Sequence, residues 1–88
     1  MQIVYTSRFV RAYKKLSDPL KILVKERGLI FQKDPFDPRL KTHKLGGRFD
    51  EFWAFWINYH NRIVFEFCKN DTAYFHLVGD HTIYEHFT

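Results

Sequence analysis

Five histidines, one arginine set among alternating apolar residues and a lysine-rich loop are the side chains of this chain that could do chemistry. His43 stands in Lys41-Thr42-His43-Lys44, His60 in Tyr59-His60-Asn61, His76 between Phe75 and Leu77, His81 two residues after Gly79, and His86 near the end. Imidazole can both take and give a proton near neutral pH, so each is a candidate acid or base. Each also has a structural reading. His43, His60 and His86 read as solvated loop or turn histidines, and His76 as a half-buried ring satisfied by a sheet neighbour. His81 differs, because a residue just past a strand end is held by a rigid element and still reaches solvent. A metal site is not expected: His81 and His86 do not make an H-x-x-x-H pair and have no Cys or carboxylate pair at ligand spacing.

Arg62 alternates with Ile63 and Phe65 at the start of an apolar strand, where a cation is costly unless it is paired. Its structural partner would be Glu66 on the same face. Its functional partner would be a phosphate, which matches the guanidinium fork. The chain has no Ser-His-Asp order, Gly-rich phosphate loop or paired-carboxylate motif. Arg, Lys and His together point to phosphodiester chemistry that uses no cofactor and no metal. RNA supplies its own nucleophile, the 2′-OH, so a protein need add only a base, an acid and cations for the developing charge.

The elements that must hold these groups follow from periodicity. Gln2–Tyr5 reads as a first strand. Ser7 offers an N-cap to an amphipathic helix carrying Phe9, Tyr13 and Leu16 on one side and Arg8, Arg11, Lys14 and Lys15 elsewhere. Ser17-Asp18-Pro19 ends that helix and starts another, with Asp18 as cap and Pro19 at its first position. Its stripe of Leu20, Leu23, Val24 and Phe31 runs to about Lys33. Asp34-Pro35-Phe36-Asp37-Pro38 cannot be helix interior, and a loop is expected from there to about Asp50, carrying Arg39, Lys41, His43, Lys44 and Arg48. From Glu51 the period becomes two. Phe52–Ile57 reads as a strand covered on both faces or one whose second face binds something, Tyr59-His60-Asn61 as a turn and the stretch from Arg62 as the next strand; Asn70-Asp71 turns again into a last strand ending near Gly79. Asn70-Asp71-Thr72 also matches a glycosylation sequon, and the hairpin turn is the preferred reading. Strand, two helices and three strands predict an α+β fold, a small antiparallel sheet with a helical pair on one face.

One domain spanning residues 1–88 is the expectation for a chain of 88 residues. An aromatic share of 19% excludes a disordered chain, and one cysteine, Cys68, excludes an internal disulfide. The net charge of +4 is unevenly spread. Residues 1–48 hold twelve Lys/Arg against four Asp/Glu, whereas residues 49–88 hold two against six and most of the aromatic rings. The N-terminus leads directly into charged sequence without the apolar stretch of a secretory signal, and no apolar run reaches the roughly 18 residues of a membrane span. A cytoplasmic location is expected, with no membrane partner.

Four segments, Lys41-Thr42-His43-Lys44-Leu45-Gly46-Gly47, the strand through Phe55 and Trp56, Tyr59-His60-Asn61-Arg62-Ile63-Val64-Phe65-Glu66 and Leu77-Val78-Gly79-Asp80-His81-Thr82-Ile83-Tyr84, resemble in order the signatures of the RelE/ParE toxin superfamily. The resemblance covers essentially the whole chain. It implies the toxin of a type II toxin–antitoxin pair, an mRNA interferase of the RelE/YafQ type that acts on mRNA in the 70S ribosome and is neutralised by a bound antitoxin. By position, Arg62 would bind the scissile phosphate, His81 would be the general acid, Tyr84 would stack on or orient a base, and His43 would be the general base. Lys41, Lys44 and Arg48 would contact RNA, as would His60, whose role stays open. The basic first part would then meet ribosomal RNA. Asp80 departs from the family pattern; a carboxylate beside His81 would favour its protonated form or lower RNA affinity. Gyrase inhibition of the ParE kind and an inert antitoxin-binding module are the alternatives.

Overall fold

The computed structural model describes residues 1–87. In chain order the elements are β1 (Gln2–Tyr5), α1 (Ser7–Lys14), α2 (Asp18–Lys33), a 3₁₀ turn at Pro38–Leu40, β2 (His43–Lys44), a 3₁₀ turn at Gly47–Phe49, β3 (Trp53–Trp56), β4 (Arg62–Cys68), β5 (Thr72–Gly79) and a 3₁₀ segment at His81–Phe87. The α+β class and the helix–helix–sheet order agree with the sequence reading. Both helix caps fall one residue earlier than expected. Thr6, not Ser7, caps α1 by accepting from the Phe9 N–H at 3.1 Å, and it also donates to the Phe75 carbonyl at 3.1 Å, which ties the helix start to β5. Ser17, not Asp18, caps α2 by accepting from the Leu20 N–H.

The five strands lie in the order β1-β5-β4-β3-β2. Two features differ from the expected antiparallel sheet. β1 runs parallel to β5: the two helices carry the chain from β1 to the far edge of the sheet, and the antiparallel steps β2–β3–β4–β5 bring it back beside β1 in the same direction. His43–Lys44, expected in a loop, pairs with Trp53–Ala54 as an edge strand; its backbone hydrogen bonds, invisible to periodicity over two residues, are what place it there. The β4–β5 turn is as expected: Asn70 and Asp71 have φ of 63° and 53°, the geometry of a type I′ hairpin.

One face of the sheet packs on the helices through Phe9, Phe31, Phe55, Phe65, Phe75 and Val78, all buried. Phe31 stacks on Phe55 at 5.0 Å and meets Phe65 edge-on at 4.8 Å, so α2 is anchored by ring against ring. Leu77 faces the opposite side although it shares parity with Phe75. The reason is a one-residue bulge: Val64 pairs with Leu77 and Phe65 with Phe75, which leaves His76 without a register partner. Past the bulge, Val78 enters the helix-side core, while Leu77 joins Val64 and Ile83 in a second cluster on the other face. That second face is where the chemistry-bearing residues gather.

Candidate functional site

Register decides which side chains share this face. The cross-strand row His43, Ala54, Val64 and Leu77 points to one side, and two positions along β3 and β4 the row Trp56, Arg62 points the same way. His43 therefore lies on the face of Arg62 and Trp56, while Lys44, next to it, alternates to the helix side.

Arg62 is partly buried and begins β4. Its guanidinium carbon sits 3.9 Å from the centre of the Trp56 ring. Nη1 donates to three turn carbonyls, Asn58 at 2.8 Å, Tyr59 at 3.0 Å and Asn61 at 3.1 Å. Asn58 builds that turn. Its side-chain oxygen accepts from the backbone N–H of His60 and of Asn61 and from the Asn61 amide. The expected structural partner of Arg62, Glu66, is engaged elsewhere: its carboxylate lies 3.0 Å from His76 Nε2. That contact also satisfies the sheet-neighbour reading of His76. Among the described residues no carboxylate pairs with Arg62, and Nη2 and Nε carry no hydrogen bond. The arginine is thus held in place by one nitrogen and one ring, and its outer edge is left to an anion.

Lys41 brings a second cation to the same ring, with Nζ 5.1 Å from the Trp56 centre. The backbone of Lys41 is left-handed, φ 51°, and its carbonyl lies 2.9 Å from His43 Nδ1. A carbonyl can only accept, so Nδ1 bears the proton in this contact and the neutral ring presents its lone pair at Nε2. His43 is exposed, and this arrangement suits a proton acceptor.

The last segment closes over one end of the face. Gly79, the register partner of Arg62, has φ +154°, and a Cβ there would come within 2.6 Å of Ile83 Cγ2. Gly79 is a fixed close approach that lets Ile83 bury itself on Val64 and Leu77. Tyr84 follows, partly buried against that cluster, its ring 6.5 Å from Phe49. Burial raises its phenol above the ordinary value near 10, and the positive charge of Arg62 pulls it partway back. His81 opens this segment in an exposed position two residues beyond Gly79, which brings its backbone to the Arg62 end of the face. The Asp80 carboxylate accepts from the Thr82 hydroxyl at 2.6 Å and from the Thr82 N–H at 3.0 Å, which holds it below the usual carboxylate range. It caps the turn rather than hydrogen-bonding to His81.

The structure therefore brings together Arg62, Lys41, His43 and Tyr84, with His81 entering from the tail. Arg48 is exposed in the short turn that carries Phe49 toward Tyr84. His60 is exposed at the tip of the Arg62 turn, its ring edge-on to Tyr59 at 5.1 Å, and no described contact joins its side chain to the guanidinium. The side chain of His86 lies outside the described residues. Two contributors escape the sequence reading: Trp56, assigned to the core, and Asn58. Trp56 and Arg62 stand equidistant from the centre of a five-residue turn, and this symmetry is the signal that makes them cross-strand neighbours.

No family model and no curated protein sequence matches the chain. Solved structures do. The RelBE2 toxin–antitoxin complex of Mycobacterium tuberculosis superposes with a TM-score of 0.78 at 15% identity, over 91% of this chain and 96% of that one. The chain has the fold of the RelE/ParE toxins. The RelB–RelE antitoxin–toxin complex of Methanococcus jannaschii gives a TM-score of 0.74 at 20% identity, over 97% and 99%. YafQ of Escherichia coli BL21(DE3) gives 0.68 at 17%, over 94% and 96%. Within this RelE-like fold, the face described above belongs to the part of the sheet turned away from the helices. Among the described residues, no helix is long and apolar enough to cross a membrane, and no group of three His, Cys, Asp or Glu could hold a metal ion.

Proposed function

We propose that this chain is the toxin of a toxin–antitoxin pair and a cytoplasmic, ribosome-dependent endoribonuclease that cleaves mRNA by attack of the 2′-OH on the adjacent phosphate. The observation that carries the reading is Arg62: a guanidinium that pairs with no carboxylate among the described residues, clamped by Trp56 and three carbonyls, on the face that also bears the Nε2 lone pair of His43. In the proposed reaction His43 takes the proton of the 2′-OH and the new O–P bond forms as the bond to the 5′ oxygen breaks. His81 gives that leaving oxygen its proton. Arg62 and Lys41 stabilise the charge that builds on the phosphate oxygens, and Tyr84 orients a base. The products are a 2′,3′-cyclic phosphate and a 5′-hydroxyl. Lys44, Arg48 and His60 contribute more distant RNA contacts.

The antitoxin partner is supported by the solved toxin–antitoxin complexes of the same fold. A groove of about 560 Å³ between β1, α1 and α2, lined by Ile3, Tyr5, Val10 and Leu29, would seat an apolar segment of it, with the surrounding helix cations meeting acidic residues.

The test is cleavage of a defined mRNA on programmed ribosomes by the purified protein, with the ends mapped and the cyclic phosphate identified. Arg62→Ala and His43→Gln are expected to fold normally and lose about 10²–10⁴-fold in rate. Intact mRNA under wild-type protein, or full activity in both variants, refutes the proposal. Inhibition of gyrase supercoiling with intact mRNA would place the target in DNA topology instead.

A further inference from the structure

A second groove, of about 530 Å³, runs between α1 and the junction of β5 with the final segment. Arg8, Arg11 and Lys15 line one side, and Gly79, Asp80 and Thr82 the other. The three cations stand at i, i+3 and i+7, so they form one helical stripe about 10 Å long at 1.5 Å per residue, while Lys14 lies off it. α1 contains no acidic residue. Neither Arg11 nor Lys15 has an ion pair or side-chain hydrogen bond among the described residues. Among the described residues Asp80 is the one carboxylate in the lining, and both of its hydrogen bonds turn it toward Thr82. The groove is therefore net positive and polar, unlike the apolar groove on the other side of α1.

Its position gives the stripe a purpose. Asn61, which also lines it, precedes Arg62, and Asp80 and Thr82 flank His81. A strand whose scissile phosphate lay on Arg62 with its leaving oxygen near His81 would have its neighbouring phosphates at the mouth of this groove. We infer that the groove is a track for the phosphates of single-stranded RNA flanking the cleaved bond, with Arg11 and Lys15 as the cations that grip them. This rests on the ribonuclease reading for its direction, but not for its chemistry, since cations spaced along an open groove reward any single-stranded phosphate backbone.

Binding of a fluorescein-labelled, uncleavable 2′-O-methyl RNA dodecamer, followed by anisotropy from 25 to about 200 mM salt, tests it. Every cation withdrawn from a single-strand phosphate reduces the salt slope by about 0.7, so Arg11→Gln with Lys15→Gln is expected to flatten the slope by about 1.4 and to weaken low-salt binding about tenfold. Lys14→Gln with Lys33→Gln removes the same charge from outside the groove and should change the slope by less than half as much. Circular dichroism checks that both pairs fold. Equal slopes in the two double variants overturn the inference, as does wild-type protein that does not bind the dodecamer. Cleavage on ribosomes separates the two readings. Ribosomal cleavage with an unmoved slope sinks the groove alone, and a slope that moves as expected without any cleavage sustains the groove and sinks the nuclease.

Discussion

Gly79→Ala gives the sharpest test of how the site is assembled. The added Cβ would lie 2.6 Å from Ile83 Cγ2, about 1 Å inside normal carbon–carbon contact, and the backbone there has φ +154°, a conformation that costs a non-glycine residue about 1–3 kcal/mol. Two relaxations compete. The end of β5 can keep its geometry and carry the strain, or the final segment can lift, which frees both the clash and φ at the cost of exposing Ile83. Ile83 is 5% exposed, so lifting it loses the burial of one large aliphatic side chain, about 1.5–3 kcal/mol. The cheaper route caps the loss, and urea unfolding of Gly79→Ala should show a destabilisation of about 1.5–3 kcal/mol rather than a collapse of the sheet. Because Tyr84 leaves with Ile83, its phenol titration should fall back toward 10, and cleavage should drop with it. Ile83→Ala removes the clashing atom, so in that background Gly79→Ala should cost at least about 1 kcal/mol less than in the parent, a coupling that distant sites do not show. Additive costs, or a Gly79→Ala protein within about 0.5 kcal/mol of wild type, would refute this account of the tail.

Three further outcomes follow from particular contacts. Trp56→Ala should leave the fold intact and reduce RNA cleavage about 2–30-fold, the rate equivalent of a cation–π contact of about 0.5–2 kcal/mol, with Trp56→Phe between; unchanged kinetics in both would remove Trp56 from the site. Tyr84 is harder to ionise in the folded protein than in the unfolded chain, so its contribution to stability is complete below pH 10 and declines as pH rises through the raised value. Arg62→Ala should push that value further up, and a spectrophotometric titration reads both effects. The Asp37 carboxyl is held at about 2 by the side-chain hydrogen bonds and backbone N–H of Arg39, so its contribution is present above 3.8 and declines as pH falls toward 2. In Arg39→Ala, NMR should find it moved back toward 3.8.

Much of the fold is legible because local rules and burial agree. The α2 stripe, the two prolines that end the helical region and the Asn70-Asp71 turn act over a few residues, so periodicity and backbone sterics suffice to place them. The caps at Thr6 and Ser17 are displaced by a single residue because adjacent polar side chains compete for the same role, and in α1 the winner is the one that can also reach the Phe75 carbonyl across the chain. The bulge at His76 is not legible, since nothing local distinguishes one extra residue in an alternating strand until its partner is known. The same holds for the parallel pairing of β1 and for the two-residue strand that turns His43 onto the face of Arg62.

The amino-acid sequence by itself determined the inventory: which side chains can move protons or grip a phosphate, the basic first part, and the alternation of helical and strand periods that limits the architecture to an α+β layer. Tertiary structure decided the assignments among them. Only cross-strand register could separate Arg62 from Glu66 and lay it on Trp56, give Glu66 to His76, and seat Ile83 against Gly79 so that His81 and Tyr84 enter at the Arg62 end. The physical reason is reach. Propensity, capping and turn chemistry act within a few residues, whereas the partners of a guanidinium are set by what distant parts of the folded chain bring within hydrogen-bond distance.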